Sequence, residues 1–84
     1  MKDFPLRIRV SLKEGILDPE AEAIQSGLAR LEFSQVQSVQ RAKVFKIAVK
    51  AETAEQALDQ GREMAQKLLV NLVMEDFEVE LEKE

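Results

Sequence analysis

The sequence predicts an α+β domain in the order β-α-β-β-α-β, with a four-stranded antiparallel sheet carrying two helices on one face. Runs of alternating apolar and polar residues, two stretches with apolar residues at spacings of three and four, and helix-start signals ahead of both stretches predict it. The 84 residues make one domain, 1–84, able to bury only roughly 60% of the surface its unfolded chain exposes. Association with another chain would compensate for so small a core.

From Leu6 to Leu12 the alternation is strict, with Leu6, Ile8, Val10 and Leu12 on one face and Arg7, Arg9 and Ser11 on the other. Gly15 ends this strand. Asp18-Pro19 then opens a helix, Asp as N-cap and Pro in the first turn, with Glu20 and Glu22 at the positive end of the dipole. Ala21, Ile24, Leu28 and Leu31 form its apolar stripe. A hairpin is expected next: a weaker strand near Val36 to Gln40, of open parity, a turn at Arg41-Ala42-Lys43, and a strand from Val44 to Ala51. Thr53 with Gln56 is a capping-box pattern for a second helix, buried along Ala57, Gly61, Met64, Ala65 and Leu68, with Asn71 as a left-handed C-cap. Phe77, Val79 and Leu81 alternate with Asp76, Glu78 and Glu80 in a last strand. The arrangement is broadly ferredoxin-like, in which the first and last strands commonly neighbour each other; this would set the Arg7/Arg9 face beside the Asp76/Glu78/Glu80 face, against the alternative that each run is an ordinary solvated strand face. Gly27 and Gly61 sit inside helices, where each costs about 1 kcal/mol relative to Ala. Either close packing or simple drift accounts for them.

Composition excludes several functions. Sixteen acidic residues against twelve basic ones, net charge −4, and four Phe as the only aromatics speak against nucleic-acid binding. The apolar cluster from Leu68 to Met74 is too short to span a bilayer, and no cysteine is present, so a cytoplasmic protein is expected.

With neither His nor Cys, the usual general base, the thiol nucleophile and nearly all zinc sites are excluded. The serines have no imidazole to activate them, and the lysines fall on polar strand faces, near turns or near helix ends. Three isolated glycines make no phosphate-binding loop. The carboxylates Glu75, Asp76, Glu78, Glu80, Glu82 and Glu84 lie along an open surface and read as solvated or ion-paired charge, with no wrapping loop for a cation. No catalytic, cofactor-binding or metal-binding residue is expected. Arg41 and Lys43, at the expected hairpin tip, are the candidate partner contacts, against the alternative of an ordinary exposed turn.

Leu12-Lys13-Glu14-Gly15-Ile16-Leu17-Asp18-Pro19 resembles the L-K-x-G-[VI]-L-D-P segment of the PurS family, the small subunit of bacterial and archaeal phosphoribosylformylglycinamidine synthase. Leu28 and Leu31-Glu32-Phe33 follow its A-L-x-x-L-G-[YF], Val39 and Lys43 fall in its hairpin, and Lys67 to Phe77 parallels K-L-L-A-N-P-V-I-E-D-[YF]. Glu32 stands in place of the usual glycine, Ala42 where a hairpin glycine is common, and Leu72 in place of proline, which puts local turn geometry in question. The resemblance implies a non-catalytic subunit in the fourth step of de novo purine biosynthesis, the ATP- and glutamine-dependent amination of formylglycinamide ribonucleotide. A large synthetase subunit would hold ATP, Mg²⁺ and the ribonucleotide, a glutaminase subunit would release ammonia, and this chain, as a homodimer or larger oligomer, would bridge them. Two other readings share the architecture: a small-molecule-binding regulatory domain, for which no ligand loop is present, and an acylphosphatase-like hydrolase, for which no phosphate cradle is present.

Overall fold

In the computed structural model, which describes residues 1–82, the order is β1 (Lys2–Leu12), α1 (Pro19–Arg30), β2 (Ala42–Ala51), α2 (Ala54–Met64) and β3 (Glu75–Leu81). A π-helical turn, Ala65–Leu69, extends α2. The three strands form one antiparallel sheet in the order β2-β1-β3, so three strands replace the expected four and the chain runs β-α-β-α-β. The segment from Val36 to Gln40 forms no strand. Its two apolar residues, Val36 and Val39, are three apart and would fall on opposite faces of a strand, so it has no face to bury. The expected turn at 41–43 is likewise displaced, because Ala42 and Lys43 already belong to β2.

β1 is the central strand, with Leu6 opposite Ile47 of β2 and Leu81 of β3. Leu6, Ile8 and Val10 are fully buried on its core face, and Arg7 and Arg9 face away from them. Pro5 sits where β3 has ended at Leu81. Its carbonyl accepts from the Glu82 N–H at 2.8 Å, so its missing donor costs the ladder only a terminal bond.

Local signals build the helices as the sequence indicates. The Asp18 carboxylate accepts from the N–H groups of Glu20 and Ala21 at 3.1 and 3.2 Å. Thr53 Oγ1 accepts from Gln56 N–H, and Gln56 Oε1 accepts from Glu52 N–H at 2.7 Å. α1 ends in a Schellman motif: Glu32 N–H donates to Ala29 and Phe33 N–H to Leu28, each at 3.0 Å. Glu32 itself takes the left-handed conformation, at φ 72°, that this motif requires. Asn71 does not; among the described residues Glu32 is the only non-glycine with positive φ. Instead Asn71 Oδ1 accepts from Val73 N–H at 3.1 Å and the Asn71 carbonyl accepts from Glu75 N–H at 2.7 Å, which turns the chain into β3.

α2 crosses all three strands through a stripe of small residues, Ala57, Gly61 and Ala65. A Cβ on Gly61 would lie 2.8 Å from Val79 Cγ1 and 2.9 Å from Leu6 Cδ1, so close approach explains this glycine, whereas one on Gly27 would meet only the Arg30 guanidinium at 4.0 Å. The π-turn, closed by Val70 N–H donating to the Ala65 carbonyl, inserts an extra residue into the helix. Leu69 and Val70 therefore turn inward, while Leu68, expected in the buried stripe, is 84% exposed.

The two helices do not share the sheet face as expected. α1 buries only Ala21, and no residue between Val10 and Phe45 joins the packed side chains beneath α2, so α1 stands away from that core with Ile24 and Leu31 exposed. The radius of gyration is 16.5 Å, against about 12 Å for a compact domain of this length.

Two substitutions test this packing. Gly61→Ala should destabilise the fold by roughly 1 kcal/mol, since overpacking against Val79 and Leu6 outweighs the gain in helix propensity. Glu32→Gly should stabilise it by about 1 kcal/mol by relieving the left-handed conformation. Urea midpoints at unchanged m-value read both.

Candidate interaction surface

Arg41 immediately precedes β2, and its guanidinium closes on the start of α1. Its Nε and Nη2 donate to the two Asp18 carboxylate oxygens at 3.1 and 3.0 Å, and Nη1 lies 2.7 Å from Glu20 Oε2. Asp18 thus serves α1 as cap and β2 as anchor. The Arg41 hydrogen bonds, assisted by the Ala21 and Glu20 amides and Arg41's charge, hold the Asp18 carboxyl below its ordinary range. Arg41 in turn is raised, first by its hydrogen bond to Asp18.

Lys43 lies one strand position into the core face of β2. Its ammonium is 3.5 Å from Glu75 Oε2 and 5.9 Å from the centroid of the Phe45 ring. Arg41 and Lys43 line one hollow of about 260 Å³ together with Ser11, Leu12, Asp18 and Glu75. The structure therefore brings the two candidate contacts together and engages both in ion pairs within the chain, leaving their outer faces to solvent.

The opposite face of the sheet is a lattice of charges. Arg7 pairs with Glu80, Arg9 with Glu78 and Lys13 with Asp76, at 3.6, 3.4 and 3.2 Å, as the juxtaposition of first and last strands required. Lys46 meets Glu82, and Lys50 meets Asp3. Each of these exposed pairs is worth only about 0–1 kcal/mol, so their role is to match strands. Glu84 of the acidic run lies outside the described residues. Among the described residues no group of three metal-ligating side chains is placed to hold an ion, and no helix is long and apolar enough to cross a membrane.

One surface was not legible in the sequence. A groove of about 470 Å³ runs beside α2 over β2, with Ile47, Met64, Leu68 and Leu69 among its walls. Only the apolar character of the stretch from Leu68 to Val73 hinted at it, because the π-turn decides which of those residues face outward.

A family profile described as PurS, phosphoribosylformylglycinamidine (FGAM) synthase, matches residues 5–83. The chain belongs to the PurS family. Curated PurS relatives are similar over nearly their whole length: the phosphoribosylformylglycinamidine synthase subunit PurS of Methanocaldococcus jannaschii is 39% identical over 95% of this chain and 96% of its own. That of Bacillus subtilis is 36% identical over 95% of this chain and 94% of its own. Among solved structures, M. jannaschii PurS superposes with a TM-score of 0.86 at 36% identity, covering 96% of this chain and 98% of that one. A chain of the Thermotoga maritima PurLQS structure superposes with a TM-score of 0.90 at 29% identity, covering 98% of this chain and 100% of that one.

The Asp18–Arg41 clamp can be titrated. Because the folded Asp18 pKa is depressed, its stabilisation is complete above the unfolded carboxylate pKa and is lost as pH falls through the lower folded value. In Arg41→Ala the Asp18 titration, followed by NMR at the Ala21 amide, should move up toward the ordinary carboxylate range. An unmoved midpoint would remove Arg41 as the cause.

Proposed function

We propose that this chain is a non-catalytic assembly subunit of phosphoribosylformylglycinamidine synthase, acting in the cytoplasm as a single domain over residues 1–84. It joins a synthetase subunit, which binds ATP, Mg²⁺ and formylglycinamide ribonucleotide, to a glutaminase subunit that releases ammonia. The observation that carries this reading is the whole-length superposition on a chain of the T. maritima PurLQS structure. The composition agrees with it. A chain without His or Cys has little to offer amide activation or glutamine hydrolysis, whereas a rigid sheet with an arm held out from it suits holding other subunits in place. The outer faces of Arg41 and Lys43 are the proposed contact with one of those subunits.

The chain acts as an oligomer in this proposal. A compact protein of 9.5 kDa exposes about 5,000 Å², whereas this one exposes 6581 Å². The excess, roughly 1,500 Å², exceeds the ~800 Å² per partner that a stable interface of standard size buries.

Product formation from glutamine, measured with the cognate synthetase and glutaminase in the presence and absence of this chain, tests the bridging role. The chain should be inert alone and should raise the glutamine-dependent rate at least tenfold. Equal rates would overturn the bridging role.

A further inference from the structure

Residues 13–41 leave the sheet after β1 and return to it at β2, where Ser11 pairs with Ala42, so the two ends of this arm stand side by side. Among the described residues no hydrogen bond or ion pair joins residues 14–40 directly to a strand or to α2. The arm is tied instead to Arg41, whose guanidinium reaches both Asp18 carboxylate oxygens and Glu20. α1 adds no side chain to the packed core beneath α2.

A single turn, in which Ile16 N–H donates to the Lys13 carbonyl at 3.1 Å, carries the chain from β1 toward α1. Gly15 within it has a φ of 86°, and a Cβ there would meet nothing within 4 Å. Packing therefore does not hold this residue, and glycine takes positive and negative φ about equally readily. The return path from Val36 to Gln40 is irregular chain. Both connections can change direction without breaking a strand or a helix.

We infer that the arm is a hinged element that turns about Gly15 and is latched by Arg41 onto Asp18 and Glu20. Arg41 is a positioning residue. Its backbone runs straight into β2, and its planar fork meets the Asp18 carboxylate with two parallel bonds, which fix direction as well as distance. The orientation of the sheet is thereby passed to the first turn of α1. With the latch closed the exposed side chains of the arm point one way; with it open they sweep a range of directions, so that one chain can meet neighbouring subunits at more than one spacing. The joint belongs to the single chain and stands independently of the assembly reading above.

The chain has no cysteine, so introduced thiols are unique. Spin labels on Ser26→Cys in α1 and Glu55→Cys in α2, both exposed positions, report the direction of the arm by pulsed dipolar spectroscopy. The labelled chain is diluted into excess unlabelled parent, so that only distances within one chain count. The parent should give a narrow distance distribution, Arg41→Ala one at least twice as wide, and Arg41→Lys, which keeps the charge and loses the fork, one of intermediate width. A parent distribution already as wide as that of Arg41→Ala overturns the latch. Broadening together with a loss of far-ultraviolet helical ellipticity would assign Arg41 to the stability of α1, and broadening of a second label pair, Glu55→Cys with Glu78→Cys, would assign it to the core; either result overturns the hinge. Gly15→Ala tests the pivot. In the Arg41→Ala background it should shift the mean distance, because alanine disfavours positive φ once the latch no longer imposes it, and an unshifted mean overturns Gly15 as the pivot.

Discussion

Leu6, Ile8 and Val10 are the largest fully buried side chains among the described residues, and all three belong to β1, which is hydrogen-bonded along both edges and roofed by α2. The roof reaches that strand only because α2 presents Ala57, Gly61 and Ala65 to it. Small residues there bring the helix axis close enough for Val79 and Leu6 to fill the space a Cβ would need. The π-turn follows directly on α2, and it sets which of Leu68, Leu69 and Val70 point inward. The groove on the surface is therefore shaped by the π-turn, which turns Leu68 outward beside Met64 and Leu69.

The charged face answers a different problem. Three strands with one buried face need a unique register, since a slip of one residue would turn every apolar side chain outward. Placing Arg7 and Arg9 on β1 against Glu80 and Glu78 on β3 adds little stability, yet it penalises the alternatives. β3 is also an edge strand, and the carboxylates of Asp76, Glu78 and Glu80 along it make pairing with another β3 electrostatically unfavourable. β2, the other edge, is flanked by the apolar groove, so the two edges differ in what they can receive.

Residues 13–41 form an arm fixed to the sheet at few points. Asp18 and Arg41 close its base, and Gln25 Nε2 donates to the Gln37 carbonyl at 3.3 Å to hold the following loop against α1. Such an arm contributes little to the core of one chain and much to surface available for assembly. The Leu12 to Pro19 segment, which carries the first of the family resemblances, lies at the root of the arm, where it sets the arm's direction.

The amino-acid sequence by itself determined the elements with strong periodicity or explicit caps: β1 from its alternation, α1 from Asp18-Pro19 and its stripe, α2 from Thr53 and Gln56, and β3 from alternating Phe77, Val79 and Leu81; it allowed Arg7 and Arg9 to adjoin Glu80 and Glu78, which the sheet order settled. It also singled out Arg41 and Lys43, although placing them on a hairpin tip missed their ion pairs with Asp18, Glu20 and Glu75, which join residues far apart in the chain. The odd spacing of Val36 and Val39, and the left-handed turn that Glu32 takes within hydrogen bonds to Ala29 and Leu28, are local features that the expected elements passed over. Only the tertiary structure decided that Leu68 faces outward and that α1 leaves its own sheet. A local pattern specifies that a face is apolar, whereas what covers the face depends on contacts between segments that the pattern does not contain.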